Sequence, residues 1–149
     1  MHFQGEFNNT IDPKGRASIP ARFREALSSV YGDESLVVTK KNGGLLAYPP
    51  SEWRQIEKNV EQMPPGPHKE DIYRVLIGPA QECGFDKQGR IQLPQSLRTY
   101  AGLDREREVV VVGIASKIEI WSQVRHEEVT RQSESRLAGE PQVLASLGF

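Results

Sequence analysis

Short apolar runs separated by turn residues dominate the pattern of hydrophobic and polar positions. In the stretch LVVTKKNGGLLAY, two such runs flank the pair Asn42-Gly43. An Asn-Gly pair between apolar runs is typical of a tight β-hairpin. The stretch VVVVGIASKIEIW, which begins at Val109, repeats the pattern with a less typical turn. The chain therefore contains two predicted hairpins of the same kind.

Between the two hairpins, apolar residues recur with a period close to that of an α-helix. Ser51 is a predicted N-cap with Glu52 in the first turn. The apolar positions that follow share one helix face, which we interpret as core packing: Trp53, Ile56, Val60 and Met63. The PPGP sequence at residues 64–67 ends this helix, and HKEDIYRVLIG predicts a further short helix after it.

The C-terminal region predicts one more helix and a tail. Ser122 is its predicted cap, and the helix is expected to end near Leu137, with charges along an exposed face. The tail AGEPQVLASLGF is moderately apolar at its end. We expect it to dock on the body of the protein or on a neighbouring subunit.

A long internal repeat organises the chain. IDPKGRASIPARFREAL, from Ile11, aligns with FDKQGRIQLPQSLRTYA, from Phe85, at an offset of 74 residues. Five pairs are identical, namely Asp12/Asp86, Gly15/Gly89, Arg16/Arg90, Pro20/Pro94 and Arg24/Arg98. Farther on, SLVVT (35–39) matches VVVVG (109–113) at the same offset, and LLAYP matches IEIWS after a one-residue slip. The repeat predicts two equivalent halves related by a pseudo-two-fold axis.

Each half is predicted to run strand, tight turn, short strand, helix, two more strands and a second helix. The strands around the turns are expected at about Gly5–Ile11 with Ala17–Ile19, and at Ala80–Phe85 with Ile91–Leu93. Pro20 and Pro94 suit the first turn of the helices that follow, where a missing N–H costs nothing. Gly102 is a natural stop for the helix of the second half.

The repeated signature has a turn chemistry that explains part of it. Asp12-Pro13-Lys14-Gly15 fits a type I turn followed by a left-handed glycine, the three-residue hairpin with a bulge. The aspartate accepts from backbone N–H groups of the turn. Asp86-Lys87-Gln88-Gly89 predicts the same backbone without the proline. Asp12, Gly15, Asp86 and Gly89 are therefore predicted to form the turns.

The turn does not explain Lys14 and Arg16. Residues 12–24 carry four basic side chains, Lys14, Arg16, Arg22 and Arg24, against the single acid Asp12. In the second copy Lys87, Arg90 and Arg98 face only Asp86, and Gln88 stands where the first copy has Lys14. The first turn is thus a positive tip on a chain whose formal net charge is −1.

Two explanations compete for Arg16 and Arg90. In the first, each arginine pairs with the aspartate of its own turn or of the other hairpin and ties the halves together. In the second, at least one of them meets DNA phosphates or a guanine edge, which is the commonest specific base contact. Arg24 and Arg98 lie within helices and are interpreted as salt-bridge or snorkelling residues.

Composition excludes several classes of protein. The chain has 149 residues, 37% hydrophobic and 26% charged, which fits one globular structural unit spanning residues 1–149. No run approaches the roughly 20 apolar residues of a membrane span, so we expect a cytoplasmic protein. Cys83 is the single cysteine, and His2, His68 and His126 are scattered, so neither a metal site nor a cofactor is expected. No nucleophile triad or glycine-rich phosphate loop predicts an enzyme or a small-molecule substrate.

Nearly the whole chain resembles the MraZ family, which is related to the AbrB group of DNA-binding domains. The resemblance rests on FQGEF, DPKGRASIPARFRE, LLAYPPSEW and CGFDKQGRIQLPQSLRTYAGL. It implies a mixed α+β fold, a swapped-hairpin β-barrel made from two tandem AbrB-like repeats with peripheral helices. The repeats are expected at residues 5–50 and 79–122, with a helical connector at 51–78 and a C-terminal helix and tail at 123–149. His2 departs from the Met-Phe with which the family usually opens.

The resemblance also implies a function. Family members are transcriptional regulators that form closed homo-oligomeric rings, octamers or dodecamers, and bind direct repeats of double-stranded DNA in the promoter of the division and cell-wall gene cluster. Carried over by position, the DNA contacts are Lys14 and Arg16, with Arg90 and Lys87 as secondary candidates because Gln88 is not basic. Such a protein is associated with the nucleoid. The alternative is a ring-shaped scaffold whose basic turns bind an acidic protein partner.

Overall fold

A computed structural model describes residues 3–149 and shows a mixed α+β fold, as predicted. Met1 and the atypical His2 lie outside the described residues. The strands are β1 (Phe3–Thr10), β2 (Arg16–Ser18), β3 (Ser35–Lys41), β4 (Gly44–Tyr48), β5 (Gln81–Gly84), β6 (Arg90–Gln92), β7 (Glu108–Ala115) and β8 (Lys117–Ser122). The helices are α1 (Ala21–Ala26), α2 (Pro50–Glu61), α3 (Pro67–Ile72), α4 (Gln95–Tyr100), α5 (Gln123–Ala138) and α6 (Pro141–Leu147). Single π-helical turns extend α1 through Leu27–Tyr31 and α3 through Tyr73–Ile77.

The strands form two antiparallel sheets. Six of them lie in the order β1-β7-β8-β4-β3-β5, and β2 pairs with β6 in a separate two-stranded ribbon. The predicted hairpins β3–β4 and β7–β8 are both present. Asn42 and Gly43 have φ values of 54° and 84°, as the expected tight turn requires.

Strand pairing exchanges elements between the two halves of the chain. The first strand of the first half, β1, pairs with β7 of the second half, and β5 pairs in the same way with β3. The pseudo-two-fold axis passes between repeat-related residues that face each other, Leu46 opposite Glu119 and Ala17 opposite Ile91. This exchange is the swapped-hairpin arrangement. Closure of the sheets into a barrel stays a prediction.

The register corrects one part of the sequence alignment. Leu36 lies opposite Cys83, and Val109 lies opposite Asn9, the residue that corresponds to Cys83. Leu36 and Val109 are therefore equivalent, at an offset of 73, and the match of SLVVT to VVVVG at 74 was wrong by one residue. The one-residue change of offset between the two repeats therefore occurs before β3, and not after β3 as the sequence alignment had it. A one-residue shift moves every side chain of a strand to the opposite face of the sheet.

Helix starts differ slightly from the predictions. Helix α2 begins at Pro50 with Pro49 at the N-cap, so Ser51 is not the cap; its hydroxyl instead donates to Asp33 Oδ2 over 2.9 Å. Pro20 and Pro94 occupy the N-cap positions of α1 and α4, one residue before the first helical turn. Proline fits there because its fixed φ agrees with the extended entry to the helix.

Other predicted features are confirmed. Gly102, with φ of 73°, follows the end of α4, and Ser122 Oγ accepts from the N–H of Arg125 at the start of α5. On α2, Trp53 and Val60 are buried against the sheet while Ile56 is half-buried. The fourth predicted residue of this face, Met63, lies beyond the end of α2 and is half-buried, so the helix is shorter than predicted.

The main hydrophobic core lies between the six-stranded sheet and the β2–β6 ribbon. Both halves contribute to it in corresponding pairs, such as Phe23 with Leu97 and Ile19 with Leu93. The ribbon therefore sits on the core and carries the turns of both signatures at its ends.

The tail does not dock on the body of the protein. Helix α6 contacts α5, but Leu147 and Phe149 remain 70% and 88% exposed. The expectation that the tail docks on the body was wrong, and docking on a neighbouring subunit stays a prediction.

Candidate nucleic-acid interface

The first signature forms the tip of a hairpin, as predicted. Gly15 N–H donates to the carbonyl of Asp12 over 2.9 Å, and Ile11 bridges to Ala17 across the hairpin. The Asp12 carboxylate accepts from the N–H groups of Lys14 and Arg16 at 3.0 and 2.8 Å. Gly15 has a φ of 84°, the left-handed conformation expected after a type I turn. Asp12 and Gly15 are thus turn-forming residues.

The second signature repeats this geometry. Gly89 N–H donates to the carbonyl of Asp86 over 3.1 Å, and Asp86 Oδ1 accepts from the N–H groups of Gln88 and Arg90, both at 2.9 Å. Gly89 has a φ of 76°. The two turns have the same backbone and differ only in their side chains.

Hydrogen bonds from backbone N–H groups stabilise the ionised form of both aspartates. The N–H of Arg16 is the main cause that lowers the pKa of Asp12 below its ordinary value of 3.8, and the N–H of Arg90 does the same for the pKa of Asp86. The adjacent guanidinium groups act in the same direction. Both carboxylates are therefore ionised and already engaged at neutral pH.

The β2–β6 ribbon turns its basic residues away from the core. Ala17 and Ile91 are completely buried on its inner face. Because side chains alternate along a strand, Arg16 and Arg90 lie on the outer face, one on each strand. Arg16 is opposite Gln92, two residues from Arg90, so the two arginines are diagonal neighbours at roughly 7 to 8 Å between Cα atoms.

Arg16 and Arg90 differ in how their nitrogens are used. Arg16 Nε donates to Asp12 Oδ2 over 2.6 Å, and its two terminal nitrogens have no partner within residues 3–149. Arg90 uses all three side-chain nitrogens: Nε bonds Asp86 at 2.9 Å, Nη1 bonds Asp12 at 3.5 Å, and Nη2 bonds Gln88. Of the two explanations for these arginines, aspartate pairing is correct for both, and only Arg16 retains an open guanidinium edge.

The lysines of the turns are exposed. Lys14 and Lys87 have no partner for Nζ among the described residues. The carbonyl of Lys14 accepts from the side-chain amide of Gln92 over 2.6 Å, so the second half of the chain holds the backbone of the first turn. The corresponding position in the second turn is the uncharged Gln88.

Arg24 and Arg98 have a role that the sequence did not reveal. Arg24 Nε donates to the carbonyl of Ile19, and Arg98 Nη1 donates to the carbonyl of Leu93. Each guanidinium also covers the glycine of the turn in the opposite half: Arg24 lies over Gly89, and Arg98 lies over Gly15. They are therefore neither salt-bridge nor snorkelling residues but clamps across the pseudo-two-fold axis. Their identical spacing in the repeat was the only signal in the sequence.

Other chemistry is limited in the part of the chain that the structure describes. Cys83 is buried, and burial raises the pKa of its thiol to about 11. Residues 3–149 contain no group of three or more histidine, cysteine, aspartate or glutamate side chains that could hold a metal ion. No helix in these residues combines the length and hydrophobicity needed to cross a membrane.

The fold and this surface define an internally duplicated α+β protein whose halves exchange strands and carry paired turns, one of them with an open cationic edge. A family model described as "MraZ protein, putative antitoxin-like" matches residues 2–72 and 76–143. The chain belongs to the MraZ family.

Full-length relatives agree with this family. The chain is 57% identical over 150 residues to a protein of Syntrophotalea carbinolica, with all of both chains covered. It is 41% identical to a protein of Desulfitobacterium hafniense strain Y51 and 37% identical to one of Geobacter sulfurreducens, each with 99% of both chains covered. All three are named "Transcriptional regulator MraZ". These relationships support a regulator of transcription.

Proposed function

We propose that this protein is a sequence-specific DNA-binding regulator of transcription that reads double-stranded DNA with the first signature turn. Lys14 and Arg16 are the contact residues. Arg90 serves to support the turns, and Lys87 adds a weaker phosphate contact. As implied by the family, the target is a set of short direct repeats in the promoter of the division and cell-wall gene cluster.

The open edge of Arg16 carries this proposal. Asp12 holds the guanidinium by Nε, which leaves both terminal nitrogens available. A guanine presents two acceptors, O6 and N7, to such a pair of donors in the major groove, and one bidentate contact contributes about 1 to 3 kcal/mol of discrimination. Lys14, one residue from the turn glycine, would bind an adjacent phosphate and fix the register.

The ribbon has the shape that this contact requires. The major groove of B-DNA admits a two-stranded β-ribbon. The outer face of β2–β6 is such a ribbon, and its inner face is anchored in the core by Ala17 and Ile91. Because the core already holds the ribbon in place, DNA binding should cost less conformational entropy of side chains and loops.

Assembly supplies the remaining affinity. A chain with a formal net charge of −1 and only a few open cations on its turns would neutralise few phosphates by itself. We propose that subunits join in a closed ring, an octamer or dodecamer, so that adjacent turns engage successive direct repeats at high effective concentration. A cytoplasmic protein of this kind would be associated with the nucleoid.

Fluorescence anisotropy over a series of salt concentrations tests the proposal. The probes are a duplex that carries the promoter repeats and a scrambled duplex of equal length. We expect the protein to prefer the repeats, Arg16→Ala to abolish that preference, and Lys14→Ala to weaken binding to both duplexes and to lower the salt slope. Arg16→Lys, which keeps the charge and loses the planar fork, should bind but discriminate poorly.

Lys87→Ala is the matched control, since it removes the same side chain from the other turn. It should have a smaller effect than Lys14→Ala. Size-exclusion chromatography with light scattering establishes that each variant keeps the assembly of the wild type. Equal, weak binding of the wild type to both duplexes would reject the DNA-binding proposal and favour a scaffold for an acidic protein partner.

A further inference from the structure

Two equivalent clefts lie beside the two signature turns. The cleft beside the first turn has a volume of about 200 Å³ and is lined by Asp12, Gly15, Arg98, Asp104 and Arg107, with apolar residues at its base. The cleft beside the second turn has a volume of about 310 Å³ and is lined by Asp86, Gly89, Arg24, Asp33 and Glu34. The turn aspartate, the turn glycine and the clamping arginine correspond one to one.

The charges of the two clefts are opposite. Each turn aspartate is neutralised by the arginine of its own signature. The remaining charged groups are two arginines and one aspartate in the first cleft, and one arginine and two acids in the second. The first cleft therefore has a net positive charge and the second a net negative charge, although the two clefts have the same backbone arrangement.

One pair of equivalent positions is directly reversed in charge. Strands β3 and β7 begin at Ser35 and Glu108, which correspond at the offset of 73 that the register establishes. The residues immediately before them are Glu34 and Arg107, both exposed. An acid thus flanks the second turn where a base flanks the first.

The backbone holds Arg107 next to the first turn. Its carbonyl accepts from the N–H of Ile11 over 2.8 Å, and Ile11 directly precedes Asp12. The Arg107 guanidinium has no partner within residues 3–149, whereas Arg98 in the same cleft is engaged by Leu93 and Gln95. Arg107 therefore offers an open cation at a fixed place on the side of the first hairpin.

We propose that the cleft beside the first turn is a second phosphate-binding site, in which Arg107 binds the DNA backbone next to the contact of Lys14. This inference rests on the proposed function and extends its footprint. Asp104 weakens the site, because it is the one acid of the cleft outside the turn. The acidic cleft at the second turn repels phosphate, so DNA binds mainly at the first turn and Lys87 makes only the weaker contact.

The test compares salt dependence among matched variants on the repeat and scrambled duplexes. Arg107→Ala should weaken binding to both duplexes about tenfold for each engaged subunit, as expected for one charge-assisted contact per subunit. It should also lower the slope of log K against log salt by about 0.9 for each engaged subunit, and leave the ratio between the duplexes unchanged. Asp104→Asn should strengthen binding to both.

Two control variants separate this contact from a general effect of charge. Arg105→Ala removes an exposed arginine from the same loop that does not line the cleft, and Glu34→Gln removes an acid from the opposite cleft. Both should leave the salt slope at the wild-type value. An Arg107→Ala variant that matches Arg105→Ala, while the wild type still prefers the repeats, would overturn the phosphate site and leave the proposed function intact. Loss of that preference in the wild type would instead reject the proposed function.

Discussion

Gly89→Ala tests whether the arginine clamp constrains the second turn. Gly89 has a φ of 76°, and an added Cβ would lie 2.5 Å from the guanidinium carbon of Arg24. Alanine in the left-handed region costs roughly 1 to 2 kcal/mol. Arg24 would also have to move and release the carbonyl of Ile19, which costs about 1 kcal/mol more. We expect a total loss of about 2 to 3 kcal/mol.

Gly102→Ala is the matched control. Gly102 has a φ of 73°, but no atom lies within 4 Å of the position its Cβ would take. This variant should lose only the backbone contribution, about 1 to 2 kcal/mol. The difference between the losses of unfolding free energy of the two variants, about 1 kcal/mol, therefore measures the contribution of the Arg24 contact alone.

Urea unfolding at one fixed protein concentration measures these differences, since association changes apparent stability. A third measurement places Gly89→Ala in an Arg24→Ala background, where its cost should fall to that of Gly102→Ala. Equal losses for Gly89→Ala and Gly102→Ala, within about 0.3 kcal/mol, would refute the clamp.

Two further predictions concern titratable groups. The lowered pKa of Asp12 means that its ionised form stabilises the fold fully above 3.8, and that this contribution is lost as the pH falls through the lowered pKa. Asp12→Asn should therefore flatten the loss of unfolding free energy as the pH falls below 3.8, and an unchanged dependence of stability on acidic pH would contradict this. Cys83, with its pKa raised to about 11, should react with a disulfide reagent at pH 8 far more slowly in the folded than in the urea-unfolded protein, and equal rates would show an accessible thiolate.

Local chemistry explains why the turns were predictable. An aspartate that caps its own turn and a glycine with positive φ are requirements of a few adjacent residues, so DPKGR and DKQGR specify their hairpin tips without help from the rest of the fold. The same holds for Asn42-Gly43 and for the cap at Ser122. The duplication was also visible, because five identical pairs survive at one spacing.

Pairing between distant strands was less accessible. Apolar runs such as VVVV do not distinguish an inward from an outward side chain by pattern alone. The offset of β3 and β7 was therefore wrong by one residue until the partners of Leu36 and Val109 were known. Glu34 and Arg107 align only at the offset of 73 that this register gives, so the charge reversal between them could not be recognised from the original alignment.

The duplicated halves, the backbone of the two turns and the basic character of the first turn all follow from the amino-acid sequence. Which of these cations remain open depends on the folded arrangement of their neighbours. Arg16 and Arg90 occupy the same place in the repeat, yet Arg90 reaches Asp86, Asp12 and Gln88 while Arg16 keeps one bond to Asp12. Part of this difference is local, because Gln88 stands where the first turn has Lys14. The rest depends on Asp12, which lies 78 residues from Arg90 along the chain and is brought next to it by the pairing of β2 with β6.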